Sequence, residues 1–478
     1  MRTAFSSFID GGWVAGVRTW SVSNPYDGSI VAEVSGAGPN VVDAAIGATV
    51  RGARMMRSYP LHKRQQVLRR ASDMLTNRLD ELAGTLAREA GKPVRHARAE
   101  VSRAAVTFAL AAGETASLKG DVMPLDVSAN GERRIGLTRR MPVGAIAGIT
   151  PFNFPLNLVA HKVAPALASG NAIVVKPASA TPLSALLLAE ILHEAGAPAG
   201  ACNVIPCRPV EATALVTDER IAMVSFTGSA DVGWGIKRSC GKKRVCLELG
   251  GNAAVIVMAD ADLEKAIPRI VLGGYAYAGQ VCISVQRIYV HERIRAKFLD
   301  AYLPCVQALR TGDPLDQATD MGPVIDDAAA DRIEQGICEA VRAGGKLLLG
   351  GERQGRLIQP TVLADVPESC SVVCDEAFAP LTVVQRFSDT AEALGAVNRS
   401  RFGLQAGVFT SSLNTAFRAF DELEVGGVIV NDSPMFRVDS MPYGGVKDSG
   451  FGREGIASAM LEMTEPRLMV VELDERMD

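Results

Sequence analysis

A cysteine set among small and polar residues is the first feature of this sequence that could carry out chemistry. Cys282 lies in GQVCIS (279–284), directly after the small-residue stretch GGYAYAG. A thiol becomes a nucleophile when a base or a positive charge favours the thiolate, and a nearby glycine lets a substrate carbonyl approach the backbone. A free cysteine is more often a small buried side chain, so Cys282 needs support from other residues.

Two further segments offer the partners that such a thiol requires. Glu248 ends a predicted strand and is followed by Leu249 and two glycines. It is a candidate general base beside an open cleft, or alternatively a solvated glutamate at a strand end. Asn153 lies in TPFNFP (150–155), a rigid turn between a strand and a helix. Its amide can donate to a developing oxyanion, or alternatively form a local Asx turn.

The length and composition of the chain are those of a globular protein with several domains. Its 478 residues exceed what one core usually holds, so roughly two to four domains are expected. Hydrophobic residues make up 48%, charged residues 22%, and 50 basic side chains face 53 acidic ones. This balance excludes disorder, collagen and polybasic arms that bind nucleic acid, so no nucleic-acid partner is predicted.

The cysteines and histidines indicate neither a secreted nor a metal-binding protein. Nine cysteines, an odd number, are scattered between Cys202 and Cys374, which favours a reducing cytoplasm. No pair has CxxC spacing and the five histidines form no HExxH motif, so no metal is predicted. The N-terminus lacks an apolar signal segment, and prolines interrupt the uncharged stretch 141–160, so no membrane association is expected.

The order of predicted elements indicates an α/β fold. Amphipathic helical patterns cover 41–57, 61–90 and 94–115. Beyond Arg140, short apolar runs alternate with helical stretches, and a second alternating block covers roughly 248–445. Such alternation predicts parallel sheets covered by crossover helices, with ligands at the carboxyl ends of the strands. Strand-like segments at 117–139 and in the tail RLMVVELDE lie outside both blocks and are candidates for edge pairing.

Several motifs, taken together and in order, resemble the aldehyde dehydrogenase superfamily over nearly the whole chain. They are TPFNFP (150–155), KPASATP (176–182), FTGS (226–229), ELGG (248–251), GQVC (279–282), EAFAP (376–380) and PYGGVKDSG (442–450).

The resemblance implies a subunit with three parts. A Rossmann-like dinucleotide-binding domain is expected at 1–116 and 140–247, an α/β catalytic domain at 248–445, and a small β oligomerisation element at 117–139 and 446–478. It also implies a homodimer or homotetramer.

The resemblance also implies catalytic roles. Cys282 would attack an aldehyde, with the oxyanion held by the Asn153 amide and the backbone N–H of Cys282. Hydride would leave to NAD(P)+, and water activated by Glu248 would release the acid. Branches that transfer the acyl group to coenzyme A lack this glutamate, so hydrolysis is favoured over acylation. A non-catalytic protein that keeps the fold is the other alternative.

Cofactor contacts follow from the same resemblance. Lys176 is expected at the adenosine ribose and Glu376 with Phe378 at the nicotinamide ribose. Ser179 stands where a glutamate would repel a 2′-phosphate, so NADP or NAD is expected, and Arg208 is either a partner of that phosphate or a solvated residue. The full predicted set is Thr150, Pro151, Phe152, Lys176, Ser179, Gly228, Ser229, Leu249, Gly250, Glu376 and Phe378.

The chain departs from the family pattern at three places. Residues 205–209 read IPCRP where a glycine-rich turn is usual, which predicts an unusual adenosine pocket. Ala379 replaces a glycine and Phe152 replaces a tryptophan.

Within the superfamily, the segments around 149–166, 277–285 and 426–455 are most similar to the branch of lactaldehyde, phosphonoacetaldehyde and non-phosphorylating glyceraldehyde-3-phosphate dehydrogenases. A small hydroxylated or anionic aldehyde is therefore expected, with a semialdehyde resembling succinate semialdehyde as the alternative. Val281 removes one position at which a relative binds phosphonate.

Three residues could bind an anionic substrate group, namely Arg103, His161 and Arg437. Each also has a structural interpretation. Arg103 could pair with Glu100, His161 could be a satisfied core histidine, and Arg437 could be a solvated loop residue.

Overall fold

A computed structural model of the chain describes residues 2–473. Met1 and residues 474–478, which the sequence analysis assigns to the dinucleotide-binding domain and the oligomerisation element, lie outside the described residues.

The helices are α1 (Pro39–Ser58), α2 (Leu61–Asn77), α3 (Leu79–Ala90), α4 (Val94–Glu114), α5 (Asn157–Ala168), α6 (Leu183–Glu194), α7 (Pro209–Thr217), α8 (Ala230–Ser239), α9 (Leu263–Tyr275), α10 (Arg295–Gln307), α11 (Asp327–Arg342), α12 (Ser371–Cys374), α13 (Thr390–Asn398), α14 (Leu413–Glu422) and α15 (Ile456–Glu462). The strands are β1 (Ala4–Phe5), β2 (Ser7–Ile9), β3 (Gly12–Val14), β4 (Arg18–Ser23), β5 (Ile30–Gly36), β6 (Val122–Pro124), β7 (Arg134–Pro142), β8 (Ala145–Ile149), β9 (Ala172–Lys176), β10 (Cys202–Val204), β11 (Met223–Thr227), β12 (Arg244–Glu248), β13 (Ala254–Val257), β14 (Arg287–His291), β15 (Lys346–Leu349), β16 (Arg353–Gln354), β17 (Leu357–Ile358), β18 (Thr361–Ala364), β19 (Leu381–Phe387), β20 (Phe402–Gly403), β21 (Gln405–Phe409), β22 (Gly427–Val430), β23 (Val446–Lys447), β24 (Gly450–Phe451) and β25 (Thr464–Glu472).

The first large sheet has eight strands in the order β24-β12-β11-β8-β9-β10-β2-β3. Its central strands, from β12 to β10, run parallel. Side chains of a strand point alternately to its two faces, and both faces here are apolar. Ile173 and Val175 pack with α5 and α6, whereas Ala172 and Val174 pack with α1 on the opposite face. The sheet is therefore covered on both sides, as the sequence pattern predicts.

The second large sheet has seven strands in the order β15-β18-β19-β14-β13-β21-β22, all parallel except the edge strand β15. Val255 and Val257 pack toward α9, α10 and α11, and Ala254 and Ile256 pack toward α13 and α14. Each large sheet thus has its own pair of cores. The loops at the carboxyl ends of both sheets supply the residues described below.

A small antiparallel sheet joins the two segments that the sequence leaves outside the alternating blocks. Strand β25 pairs with β7 from Thr464↔Pro142 to Glu472↔Arg134, and β6 pairs with the other edge of β7. Residues 446–463 do not join this sheet. Instead β24 pairs with β12 in the eight-stranded sheet, and α15 packs on α5.

The helical pattern predicted over 61–90 forms two helices. α2 ends at Asn77 and α3 begins at Leu79, because Arg78 has φ −100° and ψ 20° between them. Asp80 and Glu81 in the first turn of α3 favour a new helix start at this point.

Among residues 2–473, no helix combines the length and the apolar character needed to cross a bilayer. The same residues contain no group of three or more histidine, cysteine, aspartate or glutamate side chains arranged to hold a metal ion. All nine cysteines are free.

Candidate active site

A left-handed stretch of backbone leads into Cys282. Tyr277, Ala278 and Gly279 have φ values of 52°, 54° and 67°. Such angles cost a residue with a side chain about 1–2 kcal/mol. Only glycine fits at 279, because an added Cβ would lie 1.9 Å from the carbonyl oxygen of Ala379. The GQVC and EAFAP motifs are therefore in direct backbone contact, which places Cys282 at the boundary between α9 and the second sheet.

The Cys282 thiol is half-buried and touches a tyrosine. Its Sγ lies 3.1 Å from the hydroxyl of Tyr443, and the guanidinium of Arg437 lies 3.6 Å from the centre of the Tyr443 ring. Desolvation raises the pKa of Cys282 to about 11, although the Tyr443 hydrogen bond and the charge of Arg437 act in the opposite direction. The resting thiol is therefore protonated near neutral pH and requires a base to react.

Glu248 is a buried carboxylate at the end of β12. It is 3% exposed, and neither of its oxygens accepts a hydrogen bond within the described part of the chain. Burial raises its pKa well above the ordinary value, and the neighbouring Glu454 raises it further. A Cβ at Gly444 would lie 2.9 Å from its Oε1. Glu248 thus adjoins the PYGG loop, whose Tyr443 contacts Cys282, and the predicted base and nucleophile share one small space.

Asn153 reaches the same space from the first sheet. Its Nδ2 donates to the carbonyl of Gln280 at 2.9 Å, two residues before Cys282. Its Oδ1 accepts from the backbone N–H of Phe154 at 3.1 Å. Because a side-chain amide has two N–H donors, one remains for a substrate oxygen. All three predicted catalytic residues are brought together.

A buried ion pair that sequence reasoning missed lies behind Glu248. Lys162 donates to Glu454 at 2.8 Å and to Ser225 at 3.0 Å. Burial acts to raise the pKa of Glu454, but the positive charges of Lys162 and Arg437 outweigh it and hold that pKa below its usual range. The sequence feature that could have revealed Lys162 is its place in α5, NLVAHKVAPALA, where every side chain is buried.

Two of the three predicted anion-binding residues, Arg103 and His161, meet at Asp439. Arg103 donates to Asp439 at 2.7 Å, and the Nε2 of His161 lies 2.8 Å from the same carboxylate. The alternative pairing of Arg103 with Glu100 is wrong, because Glu100 pairs with Lys92. The solvated-loop interpretation of Arg437 is wrong as well. Its side chain is only 7% exposed, and its Nε and Nη2 have no hydrogen-bond partner among the described residues.

A cavity of about 610 Å³ opens at the carboxyl ends of β8, β9 and β11. Its volume lies within the range of small-molecule and cofactor sites. The hydroxyls of Thr150 and Thr227, both on its wall, are buried without a partner among residues 2–473. Burial lowers the pKa of Lys176, whose Nζ donates to the carbonyl of Pro177 at 3.1 Å. Unpaired polar groups in an apolar cavity fit a dinucleotide. Five residues of the predicted cofactor set line it, namely Thr150, Pro151, Lys176, Ser179 and Gly228.

The remaining predicted cofactor residues are not among those that line this cavity. Phe152 and Phe378 meet edge to face with ring centres 5.8 Å apart. Glu376 accepts from the N–H of Gly251 at 3.1 Å, and burial raises its pKa to about 7. A Cβ at Gly250 would lie 2.2 Å from this carboxylate, so any larger residue there would displace the Glu376 side chain. Ser229 precedes α8, and Leu249 packs on Phe226 in the small apolar cluster beneath the cavity.

The segment that departs from the family pattern forms a second cavity, of about 470 Å³, beside the first. Ser179 lines both cavities, and Cys207 and Arg208 line the second. Arg208 is half-exposed and pairs with Glu211. The predicted partner of a 2′-phosphate is therefore engaged within the protein.

Comparison with known proteins gives likenesses over the whole chain. A family model described as the aldehyde dehydrogenase family matches residues 13–469. The 3-sulfolactaldehyde dehydrogenase of Priestia aryabhattai is 43% identical over 470 residues, covering 98% of each chain. The crystal structure of aldehyde dehydrogenase 21 from Physcomitrella patens, in complex with the reaction product succinate, is 44% identical with a TM-score of 0.97 and 99% of each chain covered. Glyceraldehyde-3-phosphate dehydrogenase GapN of Methanocaldococcus jannaschii, complexed with NADP, is 39% identical with a TM-score of 0.91, covering 95% of this chain and 98% of that one.

The contact between Tyr443 and Cys282 generates a prediction for Tyr443→Phe. Losing a hydrogen bond to the thiolate raises the pKa of Cys282, so less thiolate is present at any pH below it. Alkylation of Cys282 by iodoacetamide should slow about tenfold at pH 8, since hydrogen bonds to charged groups contribute about 1.5–3 kcal/mol. Mass spectrometry of the Cys282 peptide measures the rate, with the exposed Cys374 as internal reference. An unchanged rate at Cys282 would contradict the role of the hydroxyl.

Proposed function

The chain belongs to the aldehyde dehydrogenase family and is an NAD(P)+-dependent oxidoreductase, and we propose that it oxidises short anionic aldehydes to carboxylic acids. The family, the α/β fold class, and NADP or NAD as the cofactor agree with the sequence predictions, which are confirmed. The observation that carries the proposed substrate class is the buried guanidinium of Arg437 beside the Tyr443–Cys282 contact. Its Nε and Nη2 have no hydrogen-bond partner among the described residues, and its ion pair with Glu454 is long, at 3.7 Å.

The first chemical step joins the thiol to the aldehyde. The Cys282 sulfur attacks the carbonyl carbon, its proton leaves to a base, and a thiohemiacetal forms. Glu248 is the basic group that shares this space. The free N–H of the Asn153 amide and the backbone N–H of Cys282 bind the oxyanion. The chemistry that bound NAD(P)+ supplies is acceptance of the hydride that leaves the same carbon.

The second step releases the acid. Water attacks the resulting thioester, and Glu248 takes the proton of that water. Burial raises the pKa of Glu248, which makes its carboxylate a stronger base for this task. We assign Phe152, Phe378 and Glu376 to positioning of the nicotinamide end of the cofactor. Phe152 packs on Phe378, and Glu376 accepts from Gly251, at which an added Cβ would lie 2.7 Å from the carbonyl oxygen of Cys282.

Arg437 supports an anionic substrate because a buried guanidinium with free donors favours a carboxylate, sulfonate or phosphate. The named relatives agree with this class. 3-Sulfolactaldehyde carries a sulfonate, succinate carries carboxylates, and glyceraldehyde-3-phosphate carries a phosphate. The donors of Arg103 already bond Asp439, so we propose that Arg103 holds Asp439 in place and does not itself bind the substrate anion.

A nitrogen of His161 without a partner among the described residues favours a substrate that carries a hydroxyl group. Burial lowers the pKa of His161, so the ring is neutral, and its Nε2 donates to the ionised Asp439. The Nδ1 of the neutral ring is then an acceptor, and it has no partner among the described residues. We propose that His161 accepts from a hydroxyl beside the aldehyde, which favours a hydroxylated substrate over a plain semialdehyde.

Ser179 supports NADP+ as a cofactor, because it leaves the cavity without a carboxylate at that position. The two large sheets support a division into dinucleotide-binding and catalytic domains near residue 248, with β6, β7 and β25 as the oligomerisation element. Nine free cysteines agree with a reducing compartment, and we propose the cytoplasm.

A dimer or tetramer is proposed from strand β25, which is exposed on both faces. Leu468, Met469 and Val470 are 53%, 55% and 49% exposed, and among the described residues β25 pairs on one edge only. An apolar strand with an open edge is a site for pairing with another chain. A second copy of this chain would cover it.

A panel of short aldehydes tests the substrate class. We expect kcat/KM with NADP+ to be higher for anionic aldehydes, such as 3-sulfolactaldehyde and succinate semialdehyde, than for neutral lactaldehyde and propanal. In Arg437→Met the anionic advantage should fall about 100-fold, equivalent to about 2.7 kcal/mol, while neutral substrates change little. Arg208→Met, an exposed arginine beside the second cavity, is the matched control with the anionic preference retained. Equal losses for neutral and anionic aldehydes in Arg437→Met would contradict anion recognition.

Two further variants separate the chemical steps. Cys282→Ala should abolish aldehyde oxidation while NADP+ still binds in a fluorescence titration. Glu248→Gln should give one burst of reduced cofactor per site and then stall, because the thioester lacks its base. Stopped-flow absorbance measures the formation of reduced cofactor in both variants. Full activity in Cys282→Ala, or undiminished turnover in Glu248→Gln, would contradict the assigned roles.

A further inference from the structure

A buried lysine, Lys92, contacts two loops of the candidate site, the turn 150–155 that carries Asn153 and the stretch 277–282 that leads to Cys282. Lys92 immediately precedes Pro93 and α4, and its side chain is fully buried. Its ammonium pairs with the carboxylate of Glu100 and donates to the backbone carbonyl of Asn153 at 2.6 Å. No site prediction from sequence included this lysine, because GKP (91–93) looks like an ordinary helix start.

The same ammonium faces two aromatic rings that belong to different loops. It lies 3.8 Å from the ring centre of Phe154 and 4.5 Å from that of Tyr277. The rings meet edge to face with centres 6.3 Å apart. Phe154 follows Asn153 in the oxyanion turn, and Tyr277 begins the left-handed stretch that leads to Cys282. A desolvated cation over aromatic rings contributes about 2 kcal/mol or more, so Lys92 binds the two loops to each other.

Glu100 supports the oxyanion turn from its other end. Its Oε1 accepts from the N–H groups of Leu156 and Asn157 at 3.0 and 3.1 Å, where α5 begins. Both charges of the pair therefore satisfy backbone groups of one turn, the ammonium at the carbonyl of Asn153 and the carboxylate at the following amides. Replacing a buried ion pair with apolar side chains is often neutral or stabilising, so its presence is poorly explained by stability alone.

The Tyr277 side is anchored by the same segment of chain. The hydroxyl of Tyr277 donates to the carbonyl of Ala90 at 2.7 Å, two residues before Lys92. Tyr277 is thus held at its hydroxyl by residue 90 and at its ring by residue 92. Its φ of 52° is strained and persists only where the surroundings fix it. The direct bond from Asn153 to the Gln280 carbonyl then depends on both loops keeping this register.

We propose that Lys92 and Glu100 are positioning residues that set the Asn153 amide against the Cys282 sulfur. The proposal rests on the proposed function, since it concerns the oxyanion formed on Cys282. Lys92 and Glu100 would therefore affect acylation, the step in which the oxyanion forms. Neither residue is assigned to deprotonation of the thiol.

The test uses the double variant Lys92→Met/Glu100→Gln in the full-length protein. Lys92→Met alone would leave the Glu100 charge buried without its partner, which commonly destabilises a protein by about 3–5 kcal/mol. In the double variant both charges are absent, and the Gln oxygen still accepts from α5. The burst of NADPH with an anionic aldehyde reports acylation. Alkylation of Cys282 by iodoacetamide reports the thiol without any oxyanion.

We expect the burst rate to fall about 30-fold, less than the roughly 10²–10³-fold cost of losing an oxyanion donor outright. Alkylation of Cys282 should stay unchanged. Because the pair acts through Asn153, adding Asn153→Ala to the double variant should slow the burst no further than Asn153→Ala alone. Tyr302→Phe is the control for stability, since it removes a buried hydroxyl on α10 that bonds Thr382 and is assigned no role in the site, and its burst should equal that of the wild type.

Three results would overturn the proposal: an unchanged burst, a parallel loss of burst and alkylation, or fully additive effects with Asn153→Ala. Each would make the pair a structural element only. If the double variant does not fold, Phe154→Leu carries the same comparison, because it removes one ring and no charge. A wild-type protein that forms no NADPH from NADP+ with any aldehyde would instead refute the proposed function, so the two failures are distinguishable.

Discussion

Desolvation of charge in the space between the two large sheets is the constraint on which the site depends. Glu248 lies there with no hydrogen-bond partner in the described structure, and Cys282 stands beside it with a raised pKa. In water both groups would have ordinary pKa values, and neither would suit proton transfer at neutral pH. Burial makes the carboxylate of Glu248 a stronger base and keeps the resting thiol protonated until a base takes its proton.

The positive charges around this space have divided tasks. Lys162 neutralises Glu454, and Arg103 neutralises Asp439, so these pairs leave little charge for a ligand. Arg437 keeps free donors because its nearest carboxylate oxygen, on Glu454, is 3.7 Å away. A cation that is buried and incompletely paired is a binding site for an anion. The arrangement therefore gives the substrate an anchor without neutralising the base.

Sequence reasoning predicted those parts of the site that depend on local pattern. Alternating apolar runs indicated two parallel sheets, and Cys282, Glu248 and Asn153 stand in motifs with distinctive neighbours. It missed Lys92, Lys162, Glu454 and the Tyr443 contact, because their importance arises from residues distant in the chain that meet only after folding. The paired alternatives for Arg103 and Arg437 could not be resolved from sequence for the same reason, since burial and partner identity are properties of the tertiary structure.

The central claim is that a buried glutamate directs the acyl group on Cys282 to water. The most direct measurement is oxidation of an anionic aldehyde by the wild-type enzyme in oxygen-18 water, with and without coenzyme A, followed by mass spectrometry of the product. We expect a free carboxylic acid carrying at least one solvent oxygen, because hydration can also exchange the aldehyde oxygen, and the same rate of formation in both conditions. An acyl-coenzyme A product, or a strict requirement for coenzyme A, would contradict it.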